Sequence, residues 1–126
     1  MENSTSEEEL TVTMKEQVTN LLGGFLEKHK DYAIEIYLCN GISDSRVARL
    51  FVTSNRKFEV KESKCIVEWQ FGEIDSNDIT FPYDEILDCY VGYLEPDMRT
   101  MLFQEDIIVA MKNGMKYQFQ CVGIPG

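Results

Sequence analysis

The sequence predicts an α+β fold, with an N-terminal helix packed on a strongly bent, mainly antiparallel β-sheet or partly open barrel. Three observations lead there. Near the N-terminus the apolar residues repeat with the helical period, and beyond residue 31 the period falls to two. The extended stretches then follow one another through short Gly/Asn/Asp/Ser turns, with no helix between them, as antiparallel neighbours do.

Met14, Val18, Leu21, Leu22, Phe25 and Leu26 fall on one stripe of a helix. Thr13 with Glu16 has capping-box spacing, as does Ser6 with Glu9, so the start is open between them. Lys28, His29 and Lys30 place cations where the C-terminal dipole favours them. Gly23-Gly24 costs about 1 kcal/mol per glycine against alanine in a helix interior, and close packing against the sheet is the expected reason.

The first strand puts Tyr32, Ile34, Ile36 and Leu38 on one face, and Asn40-Gly41 follows with residues suited to a tight turn of positive φ. Extended patterns resume at Val47 to Thr53, Phe58/Val60, Cys65/Val67/Trp69/Phe71 and Ile86 to Val91, with Trp69 expected in the core. Ile107 to Met111 and Met115 to Cys121 form a hairpin. A two-residue Asn113-Gly114 loop pairs Lys112 with Met115, Ala110 with Tyr117 and Ile108 with Phe119, the last two pairs facing the core. The other face carries Ile107, Val109 and Met111, half apolar, and should be partly covered.

A chain of 126 residues with 44% hydrophobic content supports one core. The expected organisation is a disordered tail over residues 1–9 and a single domain over 10–126. No apolar run reaches spanning length, and Met1-Glu2-Asn3-Ser4 with Glu7-Glu8-Glu9 lacks the features of an export signal, so a cytoplasmic protein is expected. Cys39, Cys65, Cys89 and Cys121 lie far apart among apolar residues and are expected as buried thiols rather than metal ligands.

Function is not written in a motif. The one histidine, His29, belongs to the helix end. No nucleophile elbow or phosphate-binding loop is present, and Asp75-Ser76-Asn77-Asp78 lacks the glycine and closing glutamate of a calcium loop and is expected as a turn. No cofactor, metal or enzymatic activity is expected, although the carboxylates of residues 75–88 are of a type that acts in acid–base pairs.

Charge is more informative. Residues 1–64 carry 11 acids against 9 bases, residues 99–126 carry 2 against 3, and residues 65–98 carry 9 acids and no base. The net charge of −10 is therefore concentrated in one window, which disfavours direct nucleic-acid binding and suits a basic partner. The expected function is that of a non-enzymatic acidic interaction protein, inhibitor- or immunity-like. It would bind a basic surface, such as that of a nucleic-acid-binding protein, through Asp75, Asp78, Asp84, Glu85 and Asp88, with Phe81 and Tyr83 as exposed aromatic flanks. In an extended segment Asp84, Ile86 and Asp88 share a face. The alternative is a small-ligand or nucleotide-binding module, monomeric or oligomeric, using the basic cluster Arg46, Arg49, Arg56 and Lys57. No membrane contact is expected, and a homo-oligomer is compatible with either reading.

Two local resemblances accompany this. Ile36-Tyr37-Leu38-Cys39-Asn40-Gly41-Ile42, preceded by a helix, resembles the first strand and turn of bacterial Sm-like RNA chaperones, which implies a bent sheet and an oligomer. That family's later Tyr-Lys-His motif is matched only by Tyr83-Asp84-Glu85-Ile86, where acids replace both basic residues, so RNA binding does not come with the resemblance. The late Asn-Gly hairpin is similar to that of pleckstrin-homology-like domains, but Gly123-Ile124-Pro125-Gly126 stands where their C-terminal helix would follow.

Overall fold

The computed structural model describes residues 13–43, 45–92 and 105–125, with the side chains of 122–125 excepted. The expected tail and the Ser6/Glu9 capping pair lie outside the described residues. Helix α1 begins at Met14–Val18, widens into a π-helical turn at Thr19–Gly23 and ends as Gly24–Lys28. Its start is the Thr13 cap, whose Oγ1 accepts from the Glu16 amide at 3.2 Å. Of the glycine pair, only Gly23 answers the expectation of close packing: a Cβ there would lie 3.4 Å from the Phe58 ring, whereas one on Gly24 would meet nothing within 4 Å.

Eight strands follow among the described residues: β1 (Tyr32–Asn40), β2 (Arg46–Val52), β3 (Arg56–Val60), β4 (Lys64–Phe71), β5 (Asp75–Pro82), β6 (Ile86–Val91), β7 (Ile107–Met111) and β8 (Met115–Pro125). They make a five-stranded sheet in the order β2-β1-β8-β7-β6 and a three-stranded sheet in the order β3-β4-β5, antiparallel throughout. The fold is thus α+β with a bent, open sheet rather than a closed barrel. Among the described residues no helix is long and apolar enough to cross a membrane.

One core lies between α1 and the facing sides of both sheets. Val18, Leu22, Phe25 and Leu26 meet Ile34, Ile36, Ile107, Val109 and Phe119 of the larger sheet and Cys65, Val67, Trp69 and Phe81 of the smaller. Trp69 is a core residue, as its apolar neighbours required. All four cysteines are buried and none is in a disulfide. Burial pushes the Cys65 thiol up to about 11 and the Cys89 thiol to about 12, with Asp88 adding to the latter, so both stay protonated.

The late hairpin has a different register from the one expected. Its loop is Lys112-Asn113-Gly114, with Gly114 at φ 93° and its amide donating to Met111 O at 3.1 Å. Ile107 therefore faces Phe119, Ile108 faces Gln118, Val109 faces Tyr117 and Ala110 faces Lys116. One extra loop residue moves every β7 side chain to the other face, so Ile107, Val109 and Met111 enter the core. Ile108 and Ala110 on the opposite face are buried too, so β7 has no wet side.

The Asn40-Gly41 turn also differs in mechanism. Gly41 does not take positive φ; the turn is made by the Asn40 side chain, whose Oδ1 accepts from the Ile42 amide at 2.8 Å. Glycine is required there because Gly114 O occupies the place of a Cβ, 1.8 Å away.

Candidate interaction surface

The acidic stretch runs along an edge strand, a turn and a second edge strand. Asp75-Ser76-Asn77-Asp78 is not a turn but the first half of β5. Gly72, at φ 66°, reverses the chain three residues earlier, so that Asp75 faces Phe71 and Asp78 faces Glu68 across the β4–β5 ladder. All four residues are exposed. Pro82 then ends the ladder, and Tyr83–Glu85 forms a 3-10 turn with Asp84 and Glu85 exposed.

Asp84, Ile86 and Asp88 do not share a face. The 3-10 turn removes Asp84 from the strand, and an irregularity between Ile86 and Asp88 sets Ile86 opposite Met111 on the core side and Asp88 opposite Ala110 on the other. Asp88 also has a local structural task, since its Oδ1 accepts from its neighbour's amide, Cys89 N, at 2.8 Å and from Gln17 Nε2 of α1 at 3.0 Å.

The two flanking aromatics separate. Phe81 is 1% exposed and sits edge-on to Tyr117, with ring centroids 5.0 Å apart, so it is a core residue and not an exposed anchor. The strand period explains this: Ile79 and Phe81 turn inward while Asp78 and Thr80 turn out. Tyr83 is half-buried, with its hydroxyl donating to Lys61 O at 3.1 Å.

What remains exposed is a row of carboxylates: Glu73, Asp75, Asp78, Asp84, Glu85 and Asp88, the last held by Gln17. Among the described residues none of them is ion-paired, whereas Lys57 of the same sheet bridges Glu59 at 2.9 Å and Glu68 at 3.5 Å. Asp84 and Glu85 border an open depression of about 340 Å³ with Met111, Lys112 and Asn113.

The basic cluster is not brought together. Arg46 and Arg49 stand on β2 in the larger sheet, Arg56 and Lys57 on β3 in the smaller. Arg46 lies over the Tyr37 ring, 3.7 Å from its centroid, and Arg49 is 3.9 Å from Glu35. Arg56 closes the end of α1: Nη2 donates to His29 O at 2.8 Å, and Nη1 to Tyr32 O at 2.7 Å and Thr53 O at 3.0 Å. His29 stacks edge-on with Phe25, and burial, then Lys28 and Arg56, hold its imidazole below the usual range.

The sequence did not point to a polar cluster on the face of the larger sheet away from the core. Asp106 is fully buried there, its Oδ2 accepting from Gln118 Nε2 at 2.6 Å and Gln120 Nε2 at 3.3 Å. Desolvation pushes its carboxyl up to about 6, against the opposing pull of the two amides and of Arg46. The alternation of Gln118 and Gln120 along β8 was the available signal. Among the described residues no three His, Cys, Asp or Glu side chains gather as metal ligands would.

Comparison of the chain with protein-family models, with characterised proteins and with solved structures finds no match.

Proposed function

We propose that the protein is a non-enzymatic interaction protein that engages a basic surface of a protein partner through the exposed carboxylates of residues 73–88, in an inhibitory or immunity-like role. The observation that carries this is the row Asp75, Asp78, Asp84 and Glu85, exposed and without ion pairs among the described residues. Carboxylates held on a sheet edge and a short turn lose little conformational freedom on docking, and their summed field favours a cationic partner. A cytoplasmic setting accords with four buried cysteines, none of them in a disulfide.

Affinity capture from host lysate with the wild-type chain and with Asp84→Lys/Glu85→Lys tests this. A basic protein retained at low salt by the wild type alone is the expected result. Equal retention by both chains, or no basic protein on either, overturns the reading.

One observation favours the small-ligand alternative. A depression of about 320 Å³ between α1 and β3 is bordered by Lys30, Arg56 and Lys57 above Leu26 and Phe58. The engagement of Arg56 by three carbonyls and of Lys57 by two acids ranks it second. Thermal stabilisation by nucleotides would favour it; none at saturating concentration would remove it.

A further inference from the structure

Two sheets leave four strand edges among the described residues, β2 and β6 in the larger and β3 and β5 in the smaller. An open edge presents a row of backbone donors and acceptors that another strand can complete, unless charge, proline or a bulge prevents it. Three of the four are guarded. β3 carries Arg56, Lys57 and Glu59, β5 carries Asp75 and Asp78 and ends at Pro82, and the Cys89 carbonyl of β6 accepts from Gln17 of α1.

The β2 edge is different. Val47, Ala48, Arg49, Leu50 and Phe51 are exposed in succession, on both faces of the strand, and all but Arg49 are apolar. Leu50 is 41% and Phe51 44% exposed, while Val52 beside them is fully buried. The bulge lies at the start of the strand, where Ala48 pairs with Leu38 but Arg46 pairs with Cys39. From Ala48 to Val52 the ladder to β1 is regular, so the outer side of this stretch offers an unbroken row of backbone groups.

The stretch Ala48 to Val52 is self-complementary. When a strand pairs antiparallel with its own copy, each residue must face one an even number of positions away for the outward backbone groups to meet. A two-fold axis at Ala48 runs the seam into the bulge, one at Arg49 sets arginine against arginine, and one at Phe51 runs off the end of the strand. An axis at Leu50 sets Leu50 against Leu50, Ala48 against Val52, and Arg49 against Phe51 on either side. Arg49 and Phe51 share the face away from the core, opposite Tyr37 and Glu35 of β1. Each guanidinium then lies beside an aromatic ring, an attractive pairing, while Glu35 stays 3.9 Å away within its own molecule.

We infer that two copies of this chain associate edge to edge through Ala48–Val52 of β2, about a two-fold axis at Leu50, and so join their larger sheets into one. The contact is isologous and closes at a dimer. It leaves the acidic stretch on the other sheet free and does not depend on the function proposed for it. So short a seam belongs with the small interfaces, under about 1,200 Å² in total, and the dimer forms reversibly with concentration. The net charge of −10 opposes association at long range, so salt that screens this repulsion favours the dimer.

Size exclusion with light scattering, over a wide range of protein concentration, tests this with the full chain and two variants at the axis, Leu50→Lys and Leu50→Glu. Circular dichroism checks that both fold. The wild type should pass from monomer to dimer and no further, at lower concentration when salt is raised. Each variant alone should stay monomeric, because like charges meet across the axis, and their equimolar mixture should dimerise again. Only in this register does position 50 face itself. A wild type monomeric at every concentration overturns the inference, as do dimers in either variant alone or a mixture that stays monomeric. Association that weakens with salt points to the acidic stretch and overturns it too. Amide exchange of the wild type at low and high concentration reads the same seam without substitution: amides within Ala48–Val52 should slow in the dimer, and slowing only elsewhere contradicts the inference. A monomeric wild type that still captures a basic protein through Asp84 and Glu85 overturns the inference alone and leaves the proposed function standing.

Discussion

Gln118 donates from Nε2 to Asp106 Oδ2 at 2.6 Å on a sheet face where both residues are fully buried. The carboxyl's pKa lies at about 6, above its ordinary value of 3.8, because removal from water outweighs the two amide donors and Arg46. A carboxyl raised in the folded state contributes stability that is present below the unfolded value and lost as pH rises through the folded one. Unfolding midpoints should therefore fall between about pH 4 and 6, and Asp106→Asn should flatten that slope by up to about 3 kcal/mol. Urea melts across this range check it; identical slopes for the two proteins would contradict it.

Gly41 and Gly24 should respond oppositely to alanine. At Gly41 the new methyl would meet Gly114 O at 1.8 Å, so the two turns must part, at a cost of about 2 kcal/mol or more. At Gly24 the backbone is helical, with φ −62° and ψ −42°, and the space is open, so alanine should stabilise by about 1 kcal/mol. Denaturant midpoints of the two variants read the difference.

Arg56 is a structural cation. Arg56→Met leaves the carbonyls of His29, Tyr32 and Thr53 without their guanidinium donor and should cost about 2 to 4 kcal/mol, since hydrogen bonds to charged groups exceed neutral ones. Lysine cannot span the three positions and should rescue little. Full stability in Arg56→Lys, measured by thermal melting, would contradict this assignment.

The thiols of Cys65 and Cys89 should be inert in the native protein. With values near 11 and 12 they carry almost no thiolate at pH 8, and both are buried. A disulfide-exchange reagent should titrate them only after denaturant is added, at a rate that follows unfolding.

The elements legible in the sequence were those whose periodicity marks a core face. In β1, β4 and the helix stripe Ile34, Ile36, Val67, Trp69 and Leu22 lie in the core as that pattern requires, although Ala33, Tyr37 and Cys39 on the other face of β1 are buried too. β7 is apolar at all five positions, so periodicity gave no register, and the choice between a two- and a three-residue loop decided every contact. Phe81 was misplaced because its acidic neighbours suggested a surface, although alternation with Ile79 marks an inward face. The acids themselves were legible by position. Their separation by the 3-10 turn at Tyr83–Glu85 was not, since three residues of turn leave no periodic trace. The scattering of the basic cluster over two sheets depends on which strands pair, which one-dimensional charge counting does not contain.

Amide hydrogen exchange on the wild-type chain, free and bound to the basic protein it captures, tests the central claim most directly. The account predicts slowed exchange from Asp75 through Asp88, with the rest of the sheet unchanged. Protection confined to β3 and the C-terminal half of α1, around Lys30, Arg56 and Lys57, with none in the acidic stretch, would contradict it.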